Sequence, residues 1–172
     1  MRHCFHRFLR PSLRALLASA MVAIVGTPVA AQSAAPLSAG ASGSASAQDS
    51  VYAVVTRLFD GMRARDTASM RAAFAPGAML NSVSPSGVRR DAIDAWIASV
   101  ASAPAGLVLD ERLGDRVVQV SGDLASVWVD YWFFAGDRFS HCGVDAFVLA
   151  RTNGEWRILS VADTRQREGC RP

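Results

Sequence analysis

The C-terminal part of the chain contains residues 126–165, which read SVWVDYWFFAGDRFSHCGVDAFVLARTNGEWRILSVADTR. β-Branched and aromatic residues dominate this stretch, and turn signals interrupt it at Ala-Gly-Asp (135–137) and Asn-Gly (153–154). The pattern predicts consecutive antiparallel strands over residues 127–134, 139–150 and 156–163. Polar side chains stand among large apolar ones here more densely than elsewhere in the sequence. We therefore expect a functional site in this region.

Residues 1–31 have the features of a secretory signal peptide. Four arginines precede an apolar run at residues 15–25, and small residues at positions 29–31 suit a signal peptidase. The apolar run is too short to span a bilayer comfortably. We expect a cleaved signal, a secreted protein of the bacterial periplasm, and no membrane attachment after cleavage.

Residues 32–48 are rich in Ala, Ser and Gly, a composition typical of a flexible linker. This leaves residues 49–172 as one folded domain of ordinary size. The full chain has a formal net charge of +3, but without residues 1–31 it has fourteen arginines and fifteen acidic residues, a net charge of −1. The mature chain therefore has no basic excess that would predict nucleic-acid binding.

Cleavage would leave one histidine, His141, and two cysteines, Cys142 and Cys170. In an oxidising compartment the two cysteines are candidates for a disulfide, with the C-terminal tail folding back onto the strand that carries Cys142. Their spacing alone does not decide whether they pair. One histidine and two cysteines do not form the ligand set of a structural zinc site, and no phosphate loop or nucleotide fingerprint occurs. We expect no metal and no cofactor.

The residues before the terminal strands predict helices first and strands later. Apolar residues recur at helical spacing from Val51 to Met62 after a candidate cap at Asp49 or Ser50, and Asp66 is the predicted N-cap of a second, shorter helix. A third helix is predicted over residues 91–102, and strands over residues 78–83, 107–113 and 116–120. This order indicates an α+β fold: a curved, cone-shaped antiparallel sheet with three helices packed on its concave side, around a conical pocket.

Three segments in combination resemble the nuclear transport factor 2-like superfamily, in its polyketide-cyclase-like and lumazine-binding-like branches. They are LFDGMRARDTASMRAAFAPGAML at residues 58–80, DAIDAWIASV at residues 91–100 and VDAFVLARTNGEWRILSVADTR at residues 144–165. The resemblance implies a cone-shaped α+β barrel that is often dimeric through its sheet. The superfamily includes isomerases, dehydratases, hydrolases, cyclases and non-enzymatic binders, so the fold does not fix the function.

The catalytic residues of those enzymes do not carry over to this chain. The steroid isomerases that it resembles have a carboxylate base on the strand after the second helix, where residues 79–83 contain no acid. They also use a tyrosine in the first helix, where this chain has Leu58, with Tyr52 nearly two turns earlier. The dehydratases use two histidines, and only His141 is available.

Regular pairing through the two turns sorts the terminal strands into faces. It places Asp145 opposite Ala162, Gly143 near Asp130, and His141 near Trp132. One face would then carry Trp128, Asp130, Trp132, His141, Asp145 and Phe147, and the other Tyr131, Cys142, Val144 and Asp163. We expect the first face to line the cone.

The candidate catalytic residues are therefore His141, Asp130 and Asp145, with the histidine as a general acid or base. Alternatively, these side chains satisfy backbone groups or pair with arginines such as Arg157 or Arg165. The candidate ligand-binding residues are aromatic; they are Trp128, Trp132, Tyr52, Phe147 and Trp96.

These observations leave three hypotheses open. The chain is a secreted binder of a small apolar or aromatic molecule, a cofactor-free lyase, isomerase or hydrolase that uses His141 with Asp130 or Asp145, or a dimeric interaction module whose pocket is filled by its own side chains. The missing base at residues 79–83 favours the first and third hypotheses. The expected partners are a small molecule and a second copy of the chain.

Overall fold

The structure is a computed structural model, and it describes residues 45–170. The predicted signal peptide lies outside the described residues. Helix α1 spans Ala45–Ala64 and buries one apolar face, including Val51, Val55 and Leu58. It begins four residues before the predicted domain start at residue 49, so residues 45–48, predicted as linker, belong to this helix.

Two shorter helices follow α1 in the sequence. Helix α2 spans Thr67–Ala72, and its predicted N-cap is confirmed: the Asp66 carboxylate accepts a hydrogen bond from the Ser69 backbone N–H at 3.0 Å. Helix α3 spans Ile93–Ala101 and buries Ile93, Ile97 and Val100. Together with α1 these helices pack on the concave side of the sheet, as predicted.

The sheet has six strands in the order β2-β1-β6-β5-β4-β3. The strands are β1 (Phe74–Ser84), β2 (Gly87–Ala92), β3 (Leu109–Ser121), β4 (Leu124–Ala135), β5 (Arg138–Thr152) and β6 (Glu155–Thr164). Neighbouring strands are antiparallel except β1 and β6, which run parallel. The α+β class is confirmed, but the sheet is mixed rather than wholly antiparallel.

Two details of the predicted strands were wrong. Strand β2 was not predicted, because residues 84–87 read as an exposed turn and residues 91–102 as a helix, with residues 88–90 assigned to no element. Residues 107–120 were predicted as two strands, but β3 is one strand with an irregularity between Leu113 and Arg116. The ladder to β4 continues on both sides of it, so the two residues of the irregularity, Gly114 and Asp115, shift the register without ending the strand.

Two β-bulges set which side chains face the pocket. Between β4 and β5 the pairing shifts at Ser140, so that Phe134 pairs with Phe139 but Phe133 pairs with His141. Between β5 and β6 it shifts at Leu159, so that Leu149 pairs with Ile158 but Val148 pairs with Ser160. Each bulge adds one residue to one strand, and a one-residue shift changes the partner of every later residue.

The bulges overturn the predicted pairing. Asp145 pairs with Asp163 rather than Ala162, Gly143 pairs with Tyr131 rather than Asp130, and His141 pairs with Phe133 rather than Trp132. His141, Asp145 and Phe147 therefore share the inner face with Tyr131 and Asp163. The other predicted members of that face, Trp128, Asp130 and Trp132, lie on the outer face.

The C-terminal tail is fixed to the middle of β5. Cys142 and Gln166 exchange two backbone hydrogen bonds, each 2.9 Å long, and Cys142 forms a disulfide with Cys170, with a Cα–Cα distance of 5.9 Å. The disulfide considered from the sequence is thus present. It holds the segment that carries Arg165 against the sheet.

Candidate functional site

The inner face of the sheet, α1 and α3 line a small cavity. Its walls are apolar and come from α1, β1, α3, β5 and β6; these residues are Leu58, Phe59, Phe74, Leu80, Ile93, Trp96, Phe147 and Val161. Its polar lining comes from the last four strands and the tail; these residues are Glu111, Tyr131, His141, Asp145, Asp163 and Arg165. The cavity has a volume of about 40 Å³, which is enough for roughly three waters.

Glu111 on β3 and Asp145 on β5 form a pair of carboxyl groups on the inner face. Burial, together with the adjacent Asp145, raises the pKa of Glu111 well above its usual range. Burial raises the pKa of Asp145 to about 7, although its hydrogen bond with Glu111 works in the opposite direction. The hydrogen bond raises the pKa of Glu111 and lowers that of Asp145, so Glu111 is the donor and Asp145 the acceptor. Two carboxyl groups that hold one proton between them can serve as an acid and a base.

His141 lies at the outer edge of this cavity. Its Nδ1 is 3.0 Å from the Ser140 hydroxyl, and its ring stacks at a tilt on Phe133, with centroids 5.1 Å apart. Burial and the neighbouring Arg165 lower the pKa of His141, although Asp163 opposes them. The imidazole is therefore neutral at pH 7. Among residues 45–170 its Nε2 has no hydrogen-bond partner, so it is free to bind a ligand.

Asp163 and Arg165 complete the polar lining from the end of β6. Asp163 is 4% exposed, and its Oδ2 accepts a hydrogen bond from Nε of Arg165 at 2.5 Å. The other carboxylate oxygen, Oδ1, is buried and has no hydrogen-bond partner within the described residues. A buried carboxylate oxygen without a donor is rare in folded proteins.

Tyr131 lines the cavity, but its hydroxyl is already engaged. It donates a hydrogen bond of 2.8 Å to the Thr164 carbonyl oxygen. That oxygen lies close because position 143 is glycine: a Cβ there would be 1.9 Å from it. Burial raises the pKa of Tyr131, so the phenol stays neutral.

A wider vestibule shares Trp96, Glu111, His141 and Arg165 with the inner cavity. The volume of the vestibule is about 320 Å³, which is within the range of small-molecule sites. Its remaining lining is mixed, with Met62, Val100, Leu109 and Phe133 as apolar contacts and an ion pair between Arg89 and Asp91. The inner cavity and the vestibule are therefore adjacent spaces with four lining residues in common.

Four of the eight predicted site residues line this pocket: His141, Asp145, Phe147 and Trp96. Trp96 also contacts Phe74 edge to face, with centroids 6.2 Å apart. Phe147 contacts Phe59 in the same way, at 6.1 Å. Both aromatic residues therefore pack as core residues and contribute to the pocket wall.

The other four predicted site residues lie elsewhere. Asp130, Trp128 and Trp132 are on the outer face because the bulge at Ser140 shifts the register. Trp128 is 55% exposed, and Trp132 covers Gly114, where a Cβ would be 2.5 Å from the indole ring. Tyr52 stacks under Arg116, whose guanidinium carbon is 4.0 Å from the ring centroid.

The sequence analysis missed four polar residues of the pocket. Tyr131 and Asp163 were assigned to the opposite face, Arg165 was considered only as an ion-pair partner, and Glu111 was not considered. Glu111 lies between Leu109 and Leu113 at alternate positions of β3, and the charged residues Asp110 and Arg112 occupy the positions between them. That alternation marks one inward face and was the available signal for Glu111.

The part of the chain that the structure describes contains no group of three or more His, Cys, Asp or Glu side chains placed to hold a metal ion. Over residues 45–170, none of the helices combines the length and apolar character needed to cross a bilayer.

A family profile described as "Putative lumazine-binding" matches residues 46–162, more than half of the chain. The chain belongs to this family. The match covers α1 through most of β6 and ends just before Asp163 and Arg165, which also line the pocket. No curated protein sequence matches the chain.

Solved structures similar to this lumazine-binding-family domain share its fold at low identity. A protein of unknown function with a cystatin-like fold from Nostoc punctiforme has a TM-score of 0.60 at 11% identity, over 73% of this chain and 95% of that one. An NTF2-like protein of unknown function from Shewanella baltica has a TM-score of 0.56 at 17% identity, over 70% and 94%. A structure from Streptomyces avermitilis, titled a putative dehydratase of the NTF2-like family, has a TM-score of 0.56 at 19% identity, over 71% and 97%.

Proposed function

We propose that this chain is a small-molecule-binding domain whose conical pocket takes a flat, largely apolar ligand with one polar end. The observation that carries the proposal is the 320 Å³ vestibule, which leads to the polar groups of His141, Glu111 and Arg165. Such a space holds a ring system of one or two rings, and the walls supply aromatic contact through Trp96 and Phe133. The open vestibule argues against a module whose pocket is filled by its own side chains.

The family description makes lumazine, a flat bicyclic heterocycle, the first ligand to test. Lumazine and related heterocycles are titrated into the protein, and binding is followed by isothermal calorimetry. A matched pair of variants on α3 reports the site: Ala95 lines the vestibule and Ala98 does not, and both are exposed. Ala95→Trp should abolish binding because the indole fills the vestibule, whereas Ala98→Trp should bind as the wild type does. Equal binding by both variants would place the ligand elsewhere.

A second candidate function is cofactor-free acid–base catalysis of the lyase, isomerase or hydrolase type. The observation in its favour is that three titratable groups with shifted pKa values line one cavity. The pKa of Asp145 is about 7, that of Glu111 is raised well above its usual range, and that of His141 is lowered. Asp130 has no part in it, since it lies on the outer face. Each ligand that binds is incubated with the protein and followed by NMR. Turnover that Asp145→Asn abolishes while binding persists would establish the enzyme; a ligand that stays unchanged would leave a binding protein.

We also propose that the domain forms a homodimer through the outer face of the sheet. Val117 and Trp128 are paired on neighbouring strands there and are 57% and 55% exposed, an unusual exposure for large apolar side chains in one patch. Light scattering coupled to size exclusion should give twice the chain mass for the wild type and a lower mass for Trp128→Ser. A monomeric wild type would contradict this proposal.

Secretion to the periplasm is likewise a proposal, supported by the signal-like sequence of residues 1–31. Intact-mass measurement of the protein from a periplasmic extract should show a chain that begins near residue 32. A full-length chain in the cytoplasmic fraction would contradict it.

A further inference from the structure

Two side chains of the site keep unused hydrogen-bond donors. Nε of Arg165 donates to Oδ2 of Asp163, but within residues 45–170 the N–H groups on its two terminal nitrogens donate to no atom. Nε2 of His141 also has no partner there, and the Ser140 hydroxyl at Nδ1 can donate, so that the imidazole carries its proton on Nε2. Polar groups of this kind on the wall of a pocket fix the orientation of a ligand.

Both donors can be reached from the vestibule. The Arg165 side chain is 46% exposed, and Arg165 and His141 line the vestibule as well as the inner cavity. The carboxylate that pairs with Arg165 differs in this respect, because the Asp163 side chain is 6% exposed and lines only the inner cavity. A ligand in the vestibule therefore meets the guanidinium and not its counter-ion.

The other charged groups of the vestibule do not compensate Arg165. Arg89 and Asp91 form an ion pair, so their charges cancel. Glu111 is the donor in its hydrogen bond with Asp145, so its carboxyl group carries a proton in that bond. Asp145 lines only the inner cavity. One positive charge thus remains on the vestibule wall.

A second arginine lies near the same place. Burial, Arg165 and Arg167 lower the pKa of His141, with Asp163 opposing them, so two guanidinium groups and one carboxylate act on the imidazole. Arg167 is exposed, and it has no hydrogen-bond or ion-pair partner in the part of the chain that the structure describes. The field at His141 therefore favours an anion.

We propose that the polar end of the ligand is a carboxylate, which accepts hydrogen bonds from the terminal nitrogens of Arg165 and from Nε2 of His141. The two free nitrogens of the planar guanidinium lie side by side and match the two oxygens of a carboxylate. This inference rests on the proposed binding function and names the chemical class of its ligand. The ring system lies in the vestibule against Trp96 and Phe133, so the ligand is an aromatic acid.

The carboxylate stays at the boundary between the two spaces, where Arg165 and His141 line both. The inner cavity does not suit it, because Asp145 and Asp163 bring carboxyl groups of their own to that lining. Its volume of about 40 Å³ is also too small for a ring, so only the polar end of the ligand approaches it.

The test compares three probes that share one ring and differ in the head group: benzoate, benzamide and benzamidine. Their dissociation constants are measured by NMR titration of the full-length protein at low salt and about pH 6, where Asp145, with a pKa of about 7, is mostly protonated. We expect benzoate to bind at least about tenfold more tightly than benzamidine, with benzamide between them, because only benzoate brings two acceptor oxygens and a negative charge. Benzamidine binding as tightly as benzoate would overturn the proposal.

Arg165→Gln tests the main donor, and Arg151→Gln is its matched control. Each arginine donates from Nε to one aspartate and has a half-exposed side chain, but Arg151 lines neither the inner cavity nor the vestibule. Arg165→Gln should remove the preference for benzoate over benzamide, because the charge and the free N–H groups are lost. Arg151→Gln should keep the preference of the wild type.

His141→Phe tests the second donor, and it also decides the matter where Arg165→Gln does not fold, as judged by circular dichroism. The phenyl ring can keep the contact with Phe133 but has no Nε2. Benzoate binding should weaken about tenfold, the effect of losing one hydrogen bond to a charged group, while benzamidine binding should not change.

The outcomes separate this proposal from the function on which it rests. Three probes of equal affinity, all blocked by Ala95→Trp, would leave a binding pocket and refute carboxylate recognition. A preference for benzoate that Arg165→Gln retains, or that His141→Phe retains where Arg165→Gln does not fold, would also refute it. No binding of any probe at millimolar concentration would contradict the binding function and this proposal together.

Discussion

Gly143 shows how one missing methyl group arranges the pocket. The absence of a Cβ lets the Thr164 carbonyl oxygen come close to β5, and that oxygen then accepts the hydrogen bond of Tyr131. The phenol is thereby fixed in the cavity wall and is not available as a donor. A residue with no side chain thus determines the hydrogen bonding of a residue on the neighbouring strand.

Gly143→Ala should destabilise the fold by about 1–3 kcal/mol, the usual cost of inserting atoms into a packed region. The added Cβ would lie 1.9 Å from a backbone oxygen, so the end of β6 must move. Thermal unfolding followed by circular dichroism measures the loss. Gly154→Ala is the control. The added Cβ would meet no atom within 4 Å, but the φ of +82° at this position costs about 1 kcal/mol for a residue that carries a side chain. A Gly143→Ala variant as stable as the wild type would contradict the close approach.

At the scale of elements, the sequence predicted where the strands lie, but it did not predict which side chains of each strand point inward. All three terminal strands and both turns were predicted, because β-branched residues and Asn-Gly are strong local signals. The bulges at Ser140 and Leu159 have no such signal. Along β4 both faces are largely apolar, with Val127, Val129 and Tyr131 on one and Trp128 and Trp132 on the other. Alternation of polarity therefore could not identify the face that points inward.

The tail element depends on its covalent attachment to β5. The disulfide closes a loop with a sequence separation of 28, for which chain entropy predicts a stabilisation of about 3–4 kcal/mol. Cys142→Ala combined with Cys170→Ser should lower the stability by about this amount in chemical denaturation. It should also speed amide exchange at Gln166, which hydrogen-bonds to Cys142.

A reducing agent distinguishes the disulfide from side-chain packing. It should destabilise the wild type and leave the double variant unchanged. A wild type that is insensitive to full reduction, verified by thiol titration, would show that the tail is held by its backbone hydrogen bonds alone.

For the whole molecule, the α+β class followed from the order of the elements, since helices precede a run of strands. The order of the elements did not predict the parallel pairing of β1 with β6, because this pairing joins residues about 80 positions apart, such as Leu80 and Val161. The carboxyl pair of the inner cavity was not predicted, since Glu111 and Asp145 meet only when β3, β4 and β5 are assembled.

That carboxyl pair makes the stability of the molecule depend on pH. The pKa of Asp145 is about 7 in the folded state against 3.8 as its ordinary value, so the folded state keeps a proton that the unfolded state loses. This contribution is complete below about pH 4 and is lost as the pH rises through about 7. Glu111 acts in the same direction. His141 acts in the opposite one, because its lowered pKa gives stability above about pH 6.5 that is lost on acidification.

The effect of Asp145 is isolated by comparing variants across pH. When the pH is raised from about 5 to about 8, the free energy of unfolding of the wild type should fall relative to that of Asp145→Asn. The difference should be a few kcal/mol at most, because one pKa unit corresponds to about 1.4 kcal/mol. Tyr131, Asp163 and Arg165 face the same carboxyl and remain in both proteins. Glu111 also remains, but it loses the carboxyl group that raises its pKa, so the difference between the two proteins reports the titration of the pair. Asp130→Asn on the outer face should follow the wild type. Parallel pH profiles for the wild type and Asp145→Asn would show that Asp145 titrates normally.

The two bulges also affect how this chain is compared with its relatives. A one-residue gap at Ser140 or Leu159 in an alignment looks minor, yet it exchanges the columns that face the pocket with those that face outward. A site residue can be transferred between two members of the family only where both keep the same bulges. Where they do not, a relative with identical residues along these strands presents a different set of side chains to its ligand.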